Sequence, residues 1–112
     1  MSAVLSSARC VAGEIGKYTD RFQRRDSTPL RAHRRRSAGA VARNVSAVKE
    51  LGGASDRSLK HFVDAVSYLA ETEVWIAIAF HNGFLRREER TRPLVTCSEI
   101  GKGLQRAMNL PD

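Results

Sequence analysis

The sequence predicts an all-α chain folded as an antiparallel, up-and-down four-helix bundle, and three observations carry that expectation. Four stretches place apolar residues three and four positions apart, the repeat of one helical face. No stretch shows the two-residue alternation of a half-buried strand. The stretches are separated by short segments holding Pro29, Gly52-Gly53 and Asn82-Gly83, and helices joined by short connections pack as antiparallel neighbours. With 112 residues the chain is one domain, residues 1–112, with helices expected at about 3–24, 29–51, 56–82 and 90–109.

In the first helix Val4, Ala8, Val11, Ile15, Tyr18 and Phe22 step by four, three, four, three and four. Ser2 is its candidate cap, and Arg9, Glu14, Lys17 and Arg21 form its polar face. Pro29 disfavours helical geometry in the residue before it, so the helix ends near Asp26-Ser27-Thr28. The second helix opens there, with Ser27 or Thr28 as cap and Pro29 in the first turn, where a missing amide costs nothing. Its stripe runs Leu30, Ser37 or Ala38, Val41, Val45, Val48 and Leu51. Arg34 falls on that stripe, so its stem lies along the apolar face or enters a space between subunits. Gly52-Gly53 closes the helix.

The third helix, capped by Ser55 or Asp56, is the organising element. Leu59, Phe62, Val63, Val66, Leu69, Ala70, Ile76, Ala77 and Phe80 are read as one broad apolar face, and Val74, Trp75, Ile78 and Ala79 extend it. A helix apolar nearly all round is buried nearly all round, so one face packs within the subunit and another against a neighbouring copy. Tyr68 and Trp75, seven apart, share one side; aromatics are enriched at interfaces, and with Ile78 they are the candidate oligomer contacts, core packing being the plain alternative. Beyond Asn82-Gly83, residues 86–90 read as a solvated charged segment. The fourth helix is expected to begin between Glu88 and Pro93 and to reach Asn109, with Leu94, Cys97, Ile100, Leu104, Ala107 and Met108 as its stripe. Gly101 and Gly103 each weaken a helix by roughly 1 kcal/mol relative to alanine, and they mark a close helix approach.

The net charge of +7 is unevenly placed: residues 17–51 hold ten Lys or Arg against Asp20, Asp26 and Glu50, and the remainder sums to zero. Arg31, Arg34, Arg35 and Arg36, with His33 among them and Arg43 beyond, are the candidate nucleic-acid-binding residues. At 100° per residue Arg31 and Arg35 share a face and Arg36 and Arg43 an adjacent one, so the helix presents a broad basic band. Guanidinium forks suit phosphate oxygens and give salt-sensitive, sequence-independent binding. The plain alternative is a solvated surface that keeps the protein in solution. No zinc-finger spacing and no aromatic platform accompanies the arginines, so binding reads the backbone or shape of RNA or DNA.

Catalytic readings find little support. Glu71 and Glu73 point about 200° apart on a helix and cannot act jointly on one substrate or metal. Glu73 falls on the apolar stripe, where a buried or half-buried carboxylate paired with an arginine, Arg34 being the candidate, is expected. His33, His61 and His81 share no ligand spacing, and the Glu-x-x-His pattern of di-iron bundles is missing, so neither a metal nor a cofactor is expected. Cys10 and Cys97 are read as reduced core thiols. No glycine-rich phosphate loop or activated nucleophile occurs, which leaves a non-enzymatic protein as the expectation. The sequence holds no 18-residue apolar run and its first residues do not form a secretory signal, so no membrane contact and a cytoplasmic location are expected.

Ser58-Leu59-Lys60-His61-Phe62, Ser67-Tyr68-Leu69-Ala70-Glu71-Thr72-Glu73 and Asn82-Gly83-Phe84-Leu85 resemble the third helix of the 23S ribosomal RNA intervening-sequence protein family, and Leu30 to Val45 is similar to its second. That family's proline and its Asn-Ile-Ala-Glu-Gly ending to the second helix are not matched. The resemblance covers about residues 8–85. It implies a four-helix bundle assembled as a homopentamer, and kinship with the basic accessory variability proteins of diversity-generating retroelements, which bind nucleic acid and partner a reverse transcriptase. A basic, self-associating bundle that binds RNA or DNA is the resulting expectation, with an adaptor for an acidic partner such as a reverse transcriptase as the alternative.

Overall fold

The computed structural model describes residues 1–21 and 28–108, and the side chains of 1–21 and 36–108. Four helices follow one another: α1 (Ser2–Arg21), α2 (Thr28–Glu50), α3 (Leu59–His81) and α4 (Arg87–Ala107). No strand occurs among the described residues. Each helix packs on its neighbours in a closed order, α1 on α2 and α4, α3 on α2 and α4. Cross-helix pairs show the directions. Ser37 meets Glu71 and Asn44 meets His61, so α2 and α3 are antiparallel. Arg21 meets Glu89 and Val4 lies against Gly103, so α1 and α4 are antiparallel too. The chain is an antiparallel four-helix bundle.

The helix ends follow from local chemistry. Gly52 and Gly83 hold φ of 84° and 78°, which L side chains rarely adopt. Each closes its helix with the same pair of bonds: Gly52 N–H donates to Lys49 O and Gly53 N–H to Val48 O, while Gly83 N–H donates to Phe80 O and Phe84 N–H to Ala79 O. Between α2 and α3 the buried Ser58 hydroxyl donates to Gly53 O at 2.8 Å and accepts from Ser55 N–H at 2.9 Å. Neither Ser55 nor Asp56 caps α3; the helix starts later, after Ser58, because this serine is spent on tying the loop together.

In α1 the core positions are Leu5, Ala8, Val11, Ile15 and Tyr18, with Val4 half-buried; in α2 they are Ser37, Ala38, Val41, Val45 and Val48 with Ala40. Phe22 and Leu30 lie outside the described side chains. In α4 Cys97, Ile100 and Leu104 are fully buried. Burial of each large side chain is worth about 1.5–3 kcal/mol, and the hydroxyls of Thr19 and Thr72 enter the core by donating to Ile15 O and Tyr68 O.

Four sequence expectations are corrected. The core face of α3 is Phe62, Ala65, Leu69, Thr72, Ile76 and Ala79, whereas Leu59, Val63, Val66 and Ala70 are exposed on a second stripe. Small Ala65 and Thr72 let the neighbouring helices approach that face. Glu73 is exposed, so it is no buried partner of Arg34, whose side chain lies outside those described. Cys10 is exposed on the polar side of α1, while Cys97 is buried; both are free thiols. Residues 86–90 are not all solvated, because α4 begins at Arg87 and Glu89 is buried in its first turn.

Candidate nucleic-acid interface

The basic band belongs to α2, and the structure fixes how that helix is presented. Ser37 Oγ donates to Glu71 Oε1 at 3.2 Å. Asn44 Nδ2 donates to Ala40 O at 2.9 Å, which turns its Oδ1 toward His61 Nδ1 at 3.0 Å and makes that nitrogen the protonated one. These contacts pin one face of α2 to α3. Arg36 and Arg43 each precede one of these contact residues and so lie about 100° round the helix from them, both exposed. Seven residues apart, they fall on nearly the same side and about 10 Å apart along the axis. The Arg43 guanidinium folds back over Gly39: a Cβ there would lie 3.1 Å from Nη1, so the glycine leaves room for it. Arg31, Arg34 and Arg35 belong to the first two turns of α2, and their side chains, with that of His33, lie outside the described residues.

A second basic group gathers where α3 turns into α4. Arg21 Nη2 donates to Glu89 Oε1 at 2.9 Å and to Phe84 O at 3.0 Å, and Nη1 donates to Glu89 Oε2. Arg86 N–H donates to Glu89 Oε1 at 2.9 Å, so one carboxylate caps α4 and neutralises Arg21. The Arg21 guanidinium, then the Arg86 amide, hold the Glu89 carboxyl down at about 2. Arg92 lies 3.4 Å from Glu14 and donates to Tyr18 OH at 3.1 Å. Arg90 lies over the Phe80 ring, 4.7 Å from its centroid. Arg86 and Arg87 remain largely in solvent.

The candidate oligomer contacts are less exposed than expected. Tyr68 is half-buried against the core, and Trp75 is half-buried beside Ile15, Tyr18 and Ile76; Ile78 is exposed. The outward apolar stripe consists instead of Leu59, Val63, Val66, Ala70 and Val74, leading to Ile78. Beside it, α3 and α4 leave an open groove of about 360 Å³ between Val66, Ala70 and Glu73 on one wall and Ser98, Gly101 and Lys102 on the other.

Among the described residues no cluster of three His, Cys, Asp or Glu is placed to hold a metal ion, and no helix is long and apolar enough to cross a membrane. No protein-family model matches the chain, and no curated protein or solved structure matches it.

Proposed function

We propose that this protein is a non-enzymatic, self-associating helical bundle of the cytoplasm that binds RNA or DNA through the phosphate backbone, using the basic band of α2. The observation that carries the reading is the confinement of the whole net charge of +7 to residues 17–51, of which α2, with six Lys or Arg against Glu50, carries +5 while Ser37 and Asn44 tie it to α3 and Arg36 and Arg43 stay exposed. An arginine band of this kind neutralises phosphates and releases counterions, with no need for a base-reading element.

Self-association is supported by α3. Its exposed stripe of Leu59, Val63, Val66 and Val74 is a contiguous apolar surface that water does not favour. The helix is also acidic, with Lys60 against Asp64, Glu71 and Glu73, so a second copy of this basic chain meets less repulsion there than anywhere on α2. The resemblance to the intervening-sequence proteins suggests five copies, which together bring a charge of +35, five times the +7 of one chain.

Fluorescence anisotropy with a labelled, unstructured single-stranded RNA tests the binding. The protein is expected to bind, with an affinity that falls steeply between about 50 and 200 mM salt. Replacing Arg31, Arg35 and Arg36 together by glutamine is expected to weaken binding by at least about tenfold and to flatten the salt dependence. Indifference to RNA and DNA, with specific capture of one acidic protein, would favour the adaptor reading instead.

A further inference from the structure

The fold changes the distribution of charge that the linear sequence suggests. Because neighbouring helices are antiparallel, the end of α1, the start of α2, the end of α3 and the start of α4 lie at one end of the bundle. Residues 17–21, 28–36 and 81–92 therefore share that end, and together they hold ten Lys or Arg against three acids, a net +7. The opposite end, residues 1–9, 43–64 and 102–108, holds seven Lys or Arg against three acids, a net +4. In the linear sequence, residues 86–92 look like a mixed segment of little consequence. In the bundle they lie at the same end as the start of the basic helix, diagonally across from it.

We infer that the phosphate-binding surface of this protein is the end of the bundle at which α2 and α4 begin, and that Arg86 and Arg87 belong to it together with the first turns of α2; this rests on the nucleic-acid reading above. Three features support the assignment. First, the one buried acid there is already engaged. Glu89 is 7% exposed and is committed to Arg21 and to the Arg86 amide, so it presents little negative charge to a ligand. Second, the arginines remain available. The Arg86 side chain is 73% exposed, with only its Nε held 3.5 Å from Glu89 Oε1, and Arg87 is exposed with no ion pair among the described residues. Third, α2 and α4 both direct their N-terminal, partially positive ends to this surface, which adds to the field of the arginines. The α3 stripe faces sideways, so copies associating through it leave the basic ends free. Arg43 lies about 22 Å along α2 from Thr28 and is outside this footprint.

Two variants of equal charge change test the assignment against the same labelled single-stranded RNA. Arg86→Gln with Arg87→Gln removes two charges from the basic end and leaves the Arg86 amide bonded to Glu89. Lys102→Gln with Arg106→Gln removes two from the other end. The first pair is expected to weaken binding about five- to tenfold and to lower the salt slope by about 1.4, two single-strand phosphate contacts' worth, while the second stays within about twofold of the parent. Circular dichroism checks that each variant is folded, and Arg87→Gln alone, which breaks no ion pair, provides a milder version. Equal effects from the two pairs, or none from the first, would overturn the end-on surface while leaving RNA binding by α2 intact. A parent protein that binds no RNA would remove both.

Discussion

Arg21, the last residue of α1, and Glu89, in the first turn of α4, are 68 positions apart in sequence and joined by both terminal nitrogens of the guanidinium. The same guanidinium reaches Phe84 O, so one side chain ties α1, the α3–α4 turn and the start of α4. Glu89→Gln keeps the shape but loses the charge, and it is expected to cost about 2 kcal/mol and lower Tm by about 10 °C. The acid limb follows from the sign of the shift. Folding holds the Glu89 carboxyl at about 2 against an ordinary 4.5, so its contribution is complete above about 4.5 and disappears as pH falls toward 2. Thermal melts across that window should show a loss of stability in the parent that is smaller in Glu89→Gln. Parallel pH profiles for the two proteins would contradict the pairing.

Gly103 and Gly101 are expected to respond oppositely to alanine. A Cβ on Gly103 would meet Val4 Cγ2 at 2.5 Å, and valine has little rotamer freedom in a helix with which to withdraw. Gly103→Ala should therefore destabilise by about 1–2 kcal/mol despite its better helix propensity, and Val4→Ala should relieve the clash. A Cβ on Gly101 meets only Leu69 Cδ2, at an ordinary 3.7 Å, so Gly101→Ala should stabilise by up to about 1 kcal/mol. Urea melts of the three variants give the comparison.

The two thiols should differ in reactivity. Burial, then the Glu73 and Glu14 carboxylates, push Cys97 up to about 12, whereas Cys10 is exposed. Near pH 8 an aromatic disulfide reagent is expected to modify one thiol quickly and the second only after denaturant is added. Cys10→Ser should abolish the fast phase. Two fast thiols would mean that α4 opens readily.

Val63→Asp and Val74→Asp place charges on the outward stripe of α3, where neither parent side chain belongs to the core. Each is expected to leave the helical content unchanged while shifting the protein toward single chains in sedimentation. Unchanged assembly would locate the contact elsewhere.

Much of the bundle was legible in the sequence because core packing imposes the three-and-four repeat on α1, α2 and α4, and glycine marks helix ends wherever φ must be positive. The face of α3 was not. Leu59, Val63, Val66 and Ala70 repeat as regularly as Phe62, Ala65, Leu69, Thr72, Ile76 and Ala79, and apolar spacing alone does not choose between two stripes on one helix. Glu89 was missed for a different reason: a charge in a charged run reads as surface until a distant arginine is brought to it. A signal was present, however. Glu89 and Pro93 extend the stripe of Cys97, Ile100 and Leu104 backward by steps of four, and a glutamate at the third helical position is a capping residue. The basic band on α2 was visible as composition, but that Arg86 and Arg87 lie at the end of the bundle where α2 begins follows only from the antiparallel order of the helices.

The most direct measurement is light scattering of the purified protein, with and without an unstructured RNA, at low and at high salt. A mass near five chains, rising when RNA is added at low salt and returning at high salt, is the expected result. A single chain whose mass is indifferent to RNA at every salt concentration would contradict both the assembly through α3 and the phosphate-binding end.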